Sequence, residues 1–115
     1  MTAEGGRDPE FWGVLGRSER TLGPGLSARL AWGERIMFSL LDMEPRSVVP
    51  RHSHPHEQMG LVLEGEFELV VGTESRLLRA GDVYLVPPGV EHEVRVGAVN
   101  ARVVDAFSPP REDYK

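Results

Sequence analysis

The strongest constraint on this chain is the rhythm of its turns. From residue 26 onward, short alternating runs are separated by turn signals roughly every 8–12 residues, and no run carries apolar residues at helical spacing. Glu64-Gly65, the stretch 72–75, Gly81-Asp82 and Pro87-Pro88-Gly89 are the clearest breaks. Between them, Phe67, Leu69 and Val71 share one face of a run, as do His92, Val94 and Val96. Residues 35–43 are apolar at both parities and are expected to be well buried. This spacing predicts an all-β sandwich or barrel.

The chain has 115 residues, which suits one domain, and 40% of them are hydrophobic, enough for a core without disulfides. Residues 1–25 read as an N-terminal arm, 26–110 as the barrel and 111–115 as a C-terminal tail. Phe11, Trp12, Val14 and Leu15 are the side chains that could tack the arm down, with a short helical turn there. The absence of cysteine excludes a thiolate nucleophile and a Cys-based zinc finger. The formal net charge of −5 offers no basic surface for nucleic acid. No secretory h-region and no run of membrane-spanning length is present, so a soluble cytoplasmic domain is expected.

Three of the four histidines, His52, His54 and His56, fall at every second position, and Gln58 continues the beat. On a strand these four would line one face, unless Pro55, which lacks an N–H, breaks it with an edge or bulge. Imidazole is the commonest neutral metal ligand, but His-x-His needs a further ligand from elsewhere in the fold. His92 supplies a candidate, because its parity matches that of Val94 and Val96 and turns it inward. Read alone, an inward His92 is equally a hydrogen-bonded core histidine.

The spacing His52-x-His54-x3-Gln58-x6-Gly65 resembles the first motif of the cupins, usually His-x-His, three or four residues, Glu, six residues, Gly. The run Gly81-x5-Pro87-x-Gly89-x2-His92 resembles their second motif. This resemblance implies a cupin jelly-roll barrel, a double-stranded β-helix, holding one divalent metal: nickel, zinc, manganese or iron. It assigns His52, His54 and His92 to the family's histidine ligand positions and Gln58 to the position of the usual glutamate. Arg46 stands where a glycine often precedes the first motif, and Val96 where an asparagine often ends the second. His56 lies outside the ligand pattern and is expected to support a ligand or touch substrate. With Gln58 in place of glutamate the set is neutral, leaving the full charge of the dication to attract an anionic substrate.

In the last run Val103, Asp105 and Phe107 share a face, and Arg111 follows Pro109-Pro110. An inward carboxylate near a cation is a candidate general acid or base, Phe107 a wall for a ring, and Arg111 a fork for a carboxylate. Outside that context, Asp105 facing solvent and Arg111 in a frayed tail are the plainer readings. Together with the two motifs, this ending is similar to that of the small pectin-degradation cupins. The resemblance implies ring opening of 4,5-unsaturated monouronates from pectin or alginate into linear keto sugars, with Asp105, Phe107 and Arg111 as functional residues. The alternatives are a metal-dependent dioxygenase-type cupin and a non-enzymatic module that binds a sugar or anion. Met59, Leu61 and Leu63 face away from Gln58, so the outer side of that run needs cover; a homodimer is one way to provide it, burial within the monomer another.

Overall fold

The alternation becomes two facing antiparallel sheets in the computed structural model, which describes residues 8–115. Strands β1 (Ser18–Gly23), β2 (Leu26–Trp32), β3 (Met37–Met43), β10 (Ala101–Ser108), β5 (Glu57–Glu64) and β8 (Val83–Val86) form one sheet in that order. Strands β4 (Val48–His52), β9 (His92–Val96), β6 (Glu66–Val71) and β7 (Glu74–Arg79) form the other. From β3 onward the chain crosses repeatedly between the sheets, and each crossing sits at a turn or loop. Gly65, between β5 and β6, has φ +71, and a Cβ there would strike the backbone at Asn100 and Ala101. That close approach explains the glycine that closes the first motif.

Period-two alternation sends one face of each sheet into a common core. Leu30, Met37, Met43, Val62 and Val103 from the larger sheet meet Phe67, Leu69, Val94 and Val96 from the smaller one. The expectation for residues 35–43 needs correcting. Met37, Ser39, Leu41 and Met43 are buried, but Ile36 and Phe38 are exposed, because the second face of β3 lies on the outside of the larger sheet. Met59, Leu61 and Leu63 lie exposed on that side too.

The stretch expected as an arm contributes β1, which pairs with β2. Phe11, Val14 and Leu15 are exposed and do not tack the chain down, and residues 13–16 form a turn rather than a helix. The Arg17 guanidinium lies 5.7 Å from the Trp12 ring and 4.5 Å from the Trp32 ring. The first seven residues lie outside the described part. At the other end Glu112–Tyr114 forms a 3₁₀ turn, held to β1 by Arg20, whose Nη1 donates to the carbonyls of Asp113 and Lys115.

Candidate metal centre and cavity

The histidine row is not one strand. β4 ends at His52, His54 and His56 lie in the connection containing Pro55, and Gln58 belongs to β5 in the opposite sheet. The beat breaks because the chain changes sheets here, which brings Gln58 back towards the histidines. His92 opens β9 and stands directly opposite His52 in the β4–β9 pair. Cross-strand pairing thus supplies the distant ligand that the local sequence lacks.

His52, His54 and His92 each offer one ring nitrogen, and these atoms lie within 4.8 Å of one another. Nδ1 of each ring donates to a backbone carbonyl: His52 to Pro50 at 2.8 Å, His54 to His56 at 3.1 Å, and His92 to Val90 at 2.9 Å. A carbonyl only accepts, so each neutral ring carries its proton on Nδ1 and leaves the Nε2 lone pair for the centre. Burial, and after it the Arg111 charge, lowers the pKa of His54. Burial, with smaller effects of His52, His54 and Arg111, lowers that of His92 to about 4. Nε2 of His92 is buried and has no hydrogen-bond partner.

Gln58 completes the argument for a cation. Its Nε2 donates to Oδ1 of Asp105 at 3.1 Å, which fixes the amide orientation. Oε1 then lies 2.9 Å from Nε2 of His54. Two acceptors face each other there, and an orphaned third acceptor, Nε2 of His92, belongs to the same triad. This donor set fits a divalent metal of the kind that accepts imidazole and amide oxygen. His56 lies outside the triad, its ring 5.4 Å from that of His54 and its Nδ1 buried without a partner.

Asp105, Phe107 and Arg111 line the same cavity as His52, Gln58 and His92, a narrow space of about 40 Å³. Asp105 is inward and buried; burial raises its pKa to about 6, against the opposing hydrogen bonds from Tyr84 and Gln58. Phe107 packs edge-on to the His54 ring, centroids 5.7 Å apart. Arg111 is 8% exposed and no frayed tail. Its guanidinium forks onto Asp113 through Nε (3.3 Å) and Nη2 (2.9 Å), and Nη1 donates to the Tyr114 hydroxyl at 2.9 Å. Burial pulls Asp113 upward, but Arg111 outweighs it and holds the carboxyl below its ordinary range. The fork therefore meets an internal carboxylate along one side, while the edge between the terminal nitrogens keeps N–H groups to spare.

Sequence reasoning missed Tyr84, Asp113 and Tyr114. Tyr84 lines the cavity and donates its hydroxyl to Asp105. The available signal was Gly60, a lone glycine inside a strand, which marks close approach by a neighbour.

Residues 39–107 match the family described as Cupin domain. The pectin degradation protein KdgF of Dickeya dadantii is 30% identical over 95 residues, covering 81% of this chain and 86% of that protein. The structure of KdgF from a Halomonas species is similar at a TM-score of 0.80 and 28% identity, covering 86% of this chain and 92% of the other. Oxalate oxidase GF-2.8 of Triticum aestivum is 32% identical over 85 residues, 64% of this chain, but those residues span only 37% of that protein.

Proposed function

The chain belongs to the cupin family, and on that footing we propose that it is a metal-dependent enzyme opening the ring of 4,5-unsaturated monouronates from pectin or alginate breakdown. The observation that carries the reading is the meeting of Asp105, Phe107 and Arg111 with the histidine cluster around one cavity. The likeness to the pectin degradation protein supports the substrate class.

His52, His54, Gln58 and His92 would hold the metal, which when bound supplies a positive charge that polarises substrate oxygens. The reaction is an isomerisation. The hydroxyl at C1 loses a proton, the bond from C1 to the ring oxygen breaks, and C4 gains a proton as the enol becomes a ketone. No oxidant is needed. Asp105, unprotonated at neutral pH and buried beside the cavity, takes and returns that proton. Arg111 presents its free edge to the substrate carboxylate, and Phe107 packs against the sugar.

The test is the loss of ultraviolet absorbance from 4,5-unsaturated galacturonate by metal-loaded protein. A rate equal to the spontaneous one refutes the proposal. The likeness to an oxalate oxidase favours, as a second reading, oxidation of a small organic acid by a redox-active metal. Oxygen uptake with oxalate, absent under the first reading, supports the second.

We further propose that the protein is a homodimer formed through the outer face of the larger sheet. Phe38, Met59, Leu61, Val83 and Leu85 are all exposed there, a contiguous apolar surface of the kind that partners cover. Sedimentation of a monomer at micromolar concentration excludes this.

A further inference from the structure

Strands β8, β5 and β10 lie side by side, and their register sets Tyr84, Gly60 and Asp105 in one row. Residues two strands apart are separated by about 9.5 Å, which the two side chains span jointly only if the middle position is empty. Gly60 leaves it empty: a Cβ there would overlap the ring and hydroxyl of Tyr84. The hydroxyl crosses the gap and donates to Oδ1 of Asp105, the oxygen that also accepts from Nε2 of Gln58. Oδ2 of Asp105 accepts from no side chain among the described residues.

We infer that Tyr84 is a positioning residue, seated by Gly60, that pins Oδ1 of Asp105 beside the Gln58 amide. It thereby aims Oε1 of Gln58 at the histidines and leaves Oδ2 of Asp105 for the cavity. The inference rests on the proposed reading of Gln58 as a metal ligand and Asp105 as the proton carrier. The physical reason is that the two ends of an amide have nearly the same shape. What distinguishes them is a neighbour that only accepts, and a carboxylate free to turn about its own axis is a poor fixed acceptor. Two donors on one oxygen hold it still. Removing the phenolic hydroxyl deletes no ring from the cavity lining and none of the proposed ligands, so its effect reads out alignment rather than the loss of a ligand.

The experiment is Tyr84→Phe in the full chain, loaded with cobalt(II) as a spectroscopic probe. The visible spectrum of the bound cobalt is expected to change in band position or intensity, because the Gln58 carbonyl is no longer held in one orientation. Turnover of unsaturated galacturonate is expected to fall about ten- to hundred-fold in kcat, with KM within about two-fold of the parent. A cobalt spectrum superimposable on the parent's overturns the inference. A parent with a cobalt spectrum but no turnover refutes the proposed reaction instead, and the two spectra still decide the role of Tyr84.

Discussion

Oε1 of Gln58 lies 2.9 Å from Nε2 of His54, and with the His54 proton on Nδ1 neither atom has one to give. Such a contact is unfavourable unless a cation lies within reach of both. The amide cannot turn over to relieve it, because Oε1 would then face the Asp105 carboxylate. Glutamine is thus suited to a cation on one side and a carboxylate on the other.

Gln58→Glu sets two carboxylates against each other at this contact. The metal-free variant is expected to lose about 1–3 kcal/mol, the cost of replacing a buried hydrogen bond by an unsatisfied charged group. Gln58→Glu with Asp105→Asn restores a donor and is expected to recover part of the loss. Urea unfolding of the two single variants, the double variant and the parent checks this, and strict additivity of the two changes contradicts it.

Three Nε2 lone pairs converging in a folded chain but scattered in an unfolded one make any bound metal a stabiliser. At a metal concentration a hundred times Kd, the gain is about 2.7 kcal/mol, a rise in Tm on the order of 10 °C. His92→Ala removes the orphaned Nε2 and is expected to abolish the metal-dependent shift. Thermal melts with and without nickel or zinc give the answer.

In the metal-free protein His92 and Asp105 carry opposed proton linkages. His92 titrates near 4 in the fold and near 6.5 unfolded, so the unfolded chain binds more protons between these values. Its contribution is complete above pH 6.5 and is lost as pH falls towards 4. Asp105 titrates near 6 in the fold against 3.8 unfolded, so its contribution is present at low pH and is lost as pH rises through 6. Each is on the order of 3 kcal/mol and they oppose one another, with the lowered His54 acting in the same sense as His92. Asp105→Asn leaves the histidine linkage unopposed. Its stability is expected to rise more steeply than the parent's from pH 4 to 6.5, as urea midpoints across that range will show.

Arg111→Lys keeps the charge but loses the fork that holds Asp113 on one side and leaves an edge open. With the Tyr114 ring 3.8 Å from the guanidinium carbon, the planar group is stacked as well as paired. KM for the unsaturated uronate is expected to rise about ten-fold or more, with kcat changing less, the pattern of lost binding rather than lost chemistry. Initial rates over a range of substrate concentrations separate the two.

Arg46 has φ +65, the conformation that glycine adopts at little cost and an arginine does not. Its N–H donates to Gly97 at 2.8 Å, so the backbone is held there by the fold. Arg46→Gly is expected to stabilise by about 0.5–1 kcal/mol after allowance for the freer unfolded chain. A lower Tm contradicts this.

Much of the site was legible because parity survives folding. His92, Val103, Asp105 and Phe107 all face inward as their alternation requires. The histidine row leaves its strand near Pro55, the break that the sequence allowed, because this segment spends its middle residues passing from one sheet to the other. Residues 35–43 showed apolar side chains on both faces, but nothing local tells which face a second sheet will cover. Tyr84, marked only by the lone glycine at 60, and Asp113 were missed for a different reason. Each acts on a partner set by strand order or by the docking of the C-terminal turn, and neither relation leaves a periodic trace in sequence.

Gly60 and Tyr84 are encoded apart but tied in descent. A side chain at position 60 is excluded while a phenol lies across it, and the phenol loses its route to Asp105 once that gap is filled. A lineage can give up the pair, but it cannot exchange either member alone and keep the alignment. Relatives that retain a buried aspartate at the place of Asp105 and a glutamine at that of Gln58 are expected to inherit both or neither, an epistasis written by the space one missing methyl group leaves.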